Sequence, residues 1–184
     1  MTIIYMISKL ITFPGAYIKG FWEHLSCRVL GIPVESSKYL PLNETCGHAD
    51  HPFAQSKSKG FLVCFLPSFL NGIFAFPFFM TGYINLCLLA VRATDISTAS
   101  SITFFALYVA LLYLGTAMLS NMFPLVEHAL NMWDLLYKKD GGANLFWKIL
   151  LFVPSAIIVA GSFLERYGLT TLMLIALIAY QLFV

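Results

Sequence analysis

Three stretches of this chain hold residue types that do chemistry. In the first, running from Phe13 to Val34, Lys19 and Glu23 stand four apart on one helix face. Cys27 follows one turn later, with His24 beside Glu23. The plain reading is that Lys19 and Glu23 neutralise each other and pack against a neighbouring helix. A metal centre needs three or four convergent ligands, whereas Glu23 and His24 are adjacent and diverge. The second stretch is Cys46-Gly-His-Ala-Asp-His51. Cys46, His48 and His51 are ligand types that zinc accepts, but their spacing matches no common finger. An exposed turn whose His side chains bond the backbone is the simpler account. The third is Asn121-Met-Phe-Pro-Leu-Val-Glu-His128. A helix broken at Pro124 leaves carbonyls free for nearby polar groups to satisfy. A functional alternative sets Glu127 or His128 opposite Glu23 across a bundle.

The elements that must position these groups lie in a membrane. Hydrophobic residues make up 59% of the 184, charged residues 11% and aromatics 16%, where a soluble domain carries about 25% charged residues. At a bilayer centre an ionisable side chain costs roughly 2.5–3.5 kcal/mol on insertion scales, so such groups face protein or water. The net charge of +2 and the absence of a basic run exclude a nucleic-acid partner. Four scattered cysteines read as buried reduced thiols rather than a disulfide framework. Met1 to Phe13 lacks a charged n-region and an A-x-A-like cleavage site, and is read as retained.

Taken in order, an apolar opening containing only Lys9 leads into the 13–34 helix. Pro14 suits its first turn, and Gly31 with Pro33 closes it by a left-handed cap and a stop. Residues 35–60 form one short extramembranous polar loop. Phe61 to Val91 carries no charge and is interrupted by Pro67 and Pro77. It fits either one tilted or kinked helix or a short re-entrant pair. Spans follow at Ile102–Met122, Leu145–Leu164 and Tyr167–Val184, with Glu165-Arg166 as a tight connection. The expectation is a single all-α integral membrane domain over residues 1–184, with about five transmembrane helices. It divides into an N-terminal helix with a polar face (1–34), the loop (35–60), core spans (61–137) and a C-terminal helical pair (145–184). Lys38, Lys57, Lys59, Lys138, Lys139 and Lys148 then lie on one side, against Arg92 and Arg166 on the other. That imbalance places the Lys-rich loops, 35–60 and 138–148, in the cytoplasm.

Several short motifs, in order, resemble the small membrane zinc peptidases of the site-2 protease type. They are Phe13-Pro-Gly, Cys27-Arg28 with Gly31-x-x-Val34, Gly47 and His51, and Pro67-x-x-x-Asn71. Leu114-Gly115, Phe123-Pro124, Ala129, Asn131 and Trp133 complete the set. The resemblance covers roughly residues 10 to 135 and implies a site-2-protease-like helical core. In that family an H-E-x-x-H holds zinc through its two His while the Glu takes a proton from the metal-bound water. Here those positions read Lys19-Gly20-Phe21-Trp22-Glu23, and the third-ligand Asp falls on His128. A charged ammonium donates only and ligates nothing, and Gly20 offers no base.

The resemblance with its departures implies a non-catalytic, pseudo-protease subunit that binds or stabilises a transmembrane partner and needs no cofactor. Lys19, Glu23 and His128 would form a polar cluster at the former metal site. Membrane lipid is the other expected partner. A rival is an active membrane zinc metalloprotease with atypical ligands, drawn from Glu23, His24, His128, Cys46, His48 and His51. A third reading is a small carrier or channel component using Lys19 and Glu23 as a relay.

Overall fold

The computed structural model describes residues 3–35, 47–89, 99–138 and 142–183. Lys38, Cys46, Arg92 and Lys139 therefore lie outside the described residues. Those described form eight α-helices and no strand: α1 Ile3–Ile11, α2 Phe13–Leu30, α3 Lys57–Tyr83, α4 Ala99–Leu119, α5 Val126–Tyr137, α6 Leu145–Leu150, α7 Phe152–Arg166 and α8 Leu169–Phe183. Pro14 sits in the first turn of α2, and Gly31 caps its end at φ 64°. Asparagine apart, only glycine takes that backbone region without steric cost.

Residues 61–91, left open between one helix and two, are one helix as far as they are described. α3 starts at Ser56, whose hydroxyl accepts the Lys59 N–H. It continues through Pro67 and Pro77 into a π-helical turn at Ile84–Leu88. Within the 32 residues from Lys57 to Leu88, an 18-residue stretch reaches a mean hydropathy of 1.8. At 1.5 Å per residue the rod is about 48 Å long, more than the roughly 30 Å of a hydrocarbon core.

α4 and α5 lie along this rod in the opposite direction. Leu112 meets Gly82 and Phe79 meets Gly115, then the Cys64 thiol meets the His128 carbonyl at 3.5 Å. α2 is also antiparallel to α3: Trp22 stacks on Phe74 with centroids 5.4 Å apart, and Cys27 packs with Val63 and Cys64. α7 covers α5 and the first half of α3, while α8 covers α4 and the π-helical turn. An apolar core of Cys27, Val63, Cys64, Met132, Leu136 and Ile158 ties four helices together. Cys27, Cys64 and Cys87 are free and buried, as expected of reduced thiols.

Fewer than five of the described helices qualify as candidate spans. Two helices, Lys57–Leu88 and Ser101–Leu119, are long and apolar enough to cross a membrane, or three if α7 and α8 count together. α7 and α8 have 15 residues each, about 22 Å at the α-helical rise. They meet at 83° around Gly168, which has φ 72°. Glu165 and Arg166 are thus the elbow of a bent pair rather than the tip of a hairpin.

Small residues set the helix spacing. A Cβ on Gly115 would fall on the Phe79 backbone, and one on Gly15 on the Ala117 carbonyl. Backbone cannot rotate aside as a flexible side chain can, and van der Waals fit is what joins helices in lipid. Gly115→Val is expected to force α3 and α4 apart and cost at least about 1–3 kcal/mol of stability, as overpacking does. Thermal unfolding in mild detergent measures it, and an unchanged midpoint would refute the close approach.

Polarity is inverted relative to a water-soluble protein. Lys9, Lys19, Glu23 and Glu165 are buried, while Phe69, Phe76, Leu145, Met173 and Tyr180 are exposed. Water would solvate the first group and expel the second. Lipid imposes the reverse.

Candidate functional site

The buried charges converge where α4 stops. After Leu119 the chain leaves the helix and does not resume it until Val126, so several carbonyls lose their i+4 partner. Side chains from other helices replace those partners. Asn71 of α3 donates from Nδ2 to the carbonyls of Met118 at 2.8 Å and Asn121 at 3.1 Å. Asn121 donates from its own Nδ2 to the Ala117 carbonyl at 2.7 Å and to Thr12 Oγ1 at 2.8 Å. The Lys19 ammonium donates to the Phe123 carbonyl. The Phe123 N–H donates to Glu165 Oε2 at 2.8 Å. In a medium without water each of these groups left bare would cost several kcal/mol.

Lys19 is the centre of the arrangement and has 0% of its surface exposed. Its Nζ lies 3.3 Å from both ring nitrogens of His48. Glu165 Oε1 is 3.9 Å away and Glu23 Oε1 4.0 Å away. Those last two distances exceed hydrogen-bond length, so the carboxylates act on the ammonium as charges while the Phe123 carbonyl accepts its hydrogen bond. Glu165 Oε1 also accepts from Lys9 Nζ at 2.7 Å, and Lys9 donates to Asn121 Oδ1 at 2.6 Å. Two ammoniums and two carboxylates thus balance inside the protein.

His48 joins the loop to this network. Its Nδ1 lies 3.0 Å from Glu23 Oε1, and the next residue, Ala49, donates its N–H to Glu23 Oε2 at 2.8 Å. Burial first, and the Lys19 ammonium second, hold the imidazole below its usual pKa, so it is neutral. With the Nδ1–H donated to Glu23, the Nε2 lone pair is left towards Lys19. The loop can lie this close because Gly47 rests on the backbone of Ala16 at φ 79°.

Of the expected cluster, Lys19 and Glu23 come together. His128 sits elsewhere: its ring faces His51, with centroids 4.2 Å apart, and Phe53 at 5.1 Å. The register of α5 turns it towards the 51–53 segment, and His48 takes the place beside Lys19 instead. His24 is half-buried on the next position of α2. Glu127 is exposed and pairs with Arg166 at 3.1 Å. Lys9 and Glu165 are the members that the sequence left unassigned. Lys9 as the one charge in its apolar run, and Glu165 at the junction of two apolar runs, were the available signals.

The residues present do not fit a resident zinc ion. Glu23 and His48 are neighbours, but the ammonium of Lys19 fills the space into which both point. Among the described residues no three His, Cys, Asp or Glu side chains converge as a metal-binding set.

A cleft of about 260 Å³ opens beside the network. Pro124, Leu125 and Val126 form one wall, Phe163 and Tyr167 another, and His48 and Glu165 lie at its inner end. Leu125 has extended backbone, φ −58° and ψ 144°. A segment entering the cleft therefore meets non-helical chain and a charge-balanced floor. No family model, no curated protein and no solved structure matches this chain.

Proposed function

We propose that this chain is a non-catalytic membrane subunit, a degenerate relative of the site-2-type zinc peptidases, that holds a transmembrane partner at the cleft. The observation that carries the reading is the enclosure of Lys19. Its ammonium sits among the Phe123 carbonyl, His48, Glu23 and Glu165, where the peptidases would keep a cation of another kind. A covalently attached cation keeps the surrounding acceptors together without a metal. The cleft beside it then binds without cutting. An unwound stretch of a partner helix suits it, since extended backbone at Leu125 and a dry aromatic wall suit exposed peptide.

The topology belongs to the same proposal. α1–α2 runs to one end, α3 returns, α4–α5 forms a broken pass, and α7–α8 forms another. We count four passes rather than the five expected from hydropathy: α1–α2 adds to the three apolar candidates, and the 165–168 elbow, at the level of Lys19, joins α7 and α8 in one. Lys57, Lys59, Lys138 and Lys148 still share one end, and we assign that end to the cytoplasm.

Two measurements test the reading. Metal analysis of protein purified from zinc-replete cells is expected to find far less than one zinc per chain. Photocrosslinking from Leu125 or Phe163, on the cleft walls, is expected to capture one membrane protein. Stoichiometric zinc released by a chelator would overturn the proposal. So would crosslinks to lipid alone.

A further inference from the structure

The end of the bundle remote from the π-helical turn carries a second constellation, independent of the Lys19 network. Lys57, at the start of α3, donates from Nζ to the Gly142 carbonyl at 2.7 Å. Lys148, in α6, places its Nζ 3.0 Å from where a Cβ on Gly142 would stand, and 3.4 Å from the Lys138 carbonyl. Two ammoniums 91 positions apart in the chain therefore flank one glycine. Lys57 is exposed and Lys148 half-buried, both are tied to carbonyls, and among the described residues neither forms an ion pair with a carboxylate. Lys59 lies close by, its Nζ 4.0 Å from the corresponding position on Gly31.

The same corner is strongly apolar on its outer side. α6 exposes Leu145, Phe146, Trp147, Ile149 and Leu150, with Leu145 at 74%. Trp133, Tyr137 and Phe152 pack in a cluster beneath it. The Tyr137 hydroxyl donates to the Lys148 carbonyl at 3.1 Å, fixing α6 to α5. Water is the wrong solvent for that face, and hydrocarbon alone is the wrong solvent for the ammoniums beside it. The boundary between acyl chains and headgroups suits both, which is where Trp, Tyr and Lys gather.

We infer that Lys57 and Lys148 bind the phosphate of an anionic phospholipid whose acyl chains lie along α6. Charge complementarity selects the occupant. A zwitterionic headgroup brings a cation of its own to the lysines, whereas an anionic one leaves its phosphate charge uncompensated. Gly142 matters because a side chain there would collide with the Lys138 carbonyl and with the Lys148 ammonium.

The test uses the full chain reconstituted in phosphatidylcholine vesicles, with and without a fifth of the lipid replaced by phosphatidylglycerol. Lipid retained after gentle detergent extraction is counted by native mass spectrometry. Wild type is expected to retain phosphatidylglycerol in preference to phosphatidylcholine. The double variant Lys57→Gln, Lys148→Gln is expected to weaken that preference by about thirtyfold, since a near-surface Lys is worth roughly fivefold in binding. Arg166→Gln, at the elbow, is expected to leave it unchanged. Lys57 is exposed and Lys148 half-buried, and an unaltered unfolding midpoint in phosphatidylcholine checks that the double variant folds. Equal retention of the two lipids by wild type would overturn the inference. So would a double variant that keeps the preference, or displacement of the lipid by millimolar inorganic phosphate, which would mark the site as one for the free anion.

Discussion

Lys19→Met is expected to cost about 3–5 kcal/mol of stability, the loss that follows when one partner of a buried ion pair is removed. Methionine fills much of the same volume, so the effect is electrostatic rather than a cavity. Glu165 would keep Lys9 at 2.7 Å, but Glu23 would lose its nearest ammonium and the Phe123 carbonyl its donor. The double variant Lys19→Met, Glu23→Gln separates the causes. Gln still accepts the Ala49 N–H and carries no charge, so it is expected to recover about 1–3 kcal/mol of the loss. Unfolding midpoints in one detergent measure all three proteins. A Lys19→Met protein as stable as wild type would remove the network from the centre of this account.

Glu165→Gln is expected to be nearly as severe, again about 3–5 kcal/mol. Glu165 accepts from Lys9 through Oε1 and from the Phe123 N–H through Oε2. An amide has one acceptor oxygen, and its NH₂ only donates. Whichever way the Gln turns, one donor faces another, and Lys9 has lost its counter-charge. The damage should centre on the helix break, with the Phe123 amide exchanging hydrogen at least about tenfold faster than in wild type. Adding Lys9→Met removes the stranded cation and should restore part of the midpoint. Exchange at Phe123 unchanged by Glu165→Gln would mean that the break is held by something else.

Both variants bear on what a buried ion network does inside a helical bundle of this kind. Its gain is conformational. Unwound chain at 120–125 persists in the bundle because α2, α3 and α7 each send it a polar side chain. The cleft exists because that chain is unwound. Stability of the network and binding at the cleft are thus expected to fail together in Lys19→Met, whereas the lipid contacts at Lys57 and Lys148 should survive it.

Much of the frame was legible from residue order. Pro14, Gly31 and Pro33 delimited α2 through constraints local to the backbone. The apolar run after Phe61 announced α3, and the ratio of charged to apolar residues announced the solvent. Lys19 and Glu23, one helical turn apart, had to share a face whatever surrounded them. Less accessible were relations between distant segments. The sequence made His128 a plausible partner for Glu23, yet the register of α5 turns it to His51. Nor does any local pattern join Glu165 to Lys9, 156 positions away.

The bend in the C-terminal pair was hidden from hydropathy for a related reason. Composition measures how apolar a segment is but not its direction, and an elbow at Gly168 leaves composition untouched. Residue types alone determined that this chain suits lipid, that it is helical, and that Lys19 and Glu23 share one face of α2. Tertiary structure decided which groups enclose the Lys19 cation. Only packing brings α2, the loop at His48, the break after α4 and the end of α7 within reach of one ammonium, because each owes its place to contacts with the others.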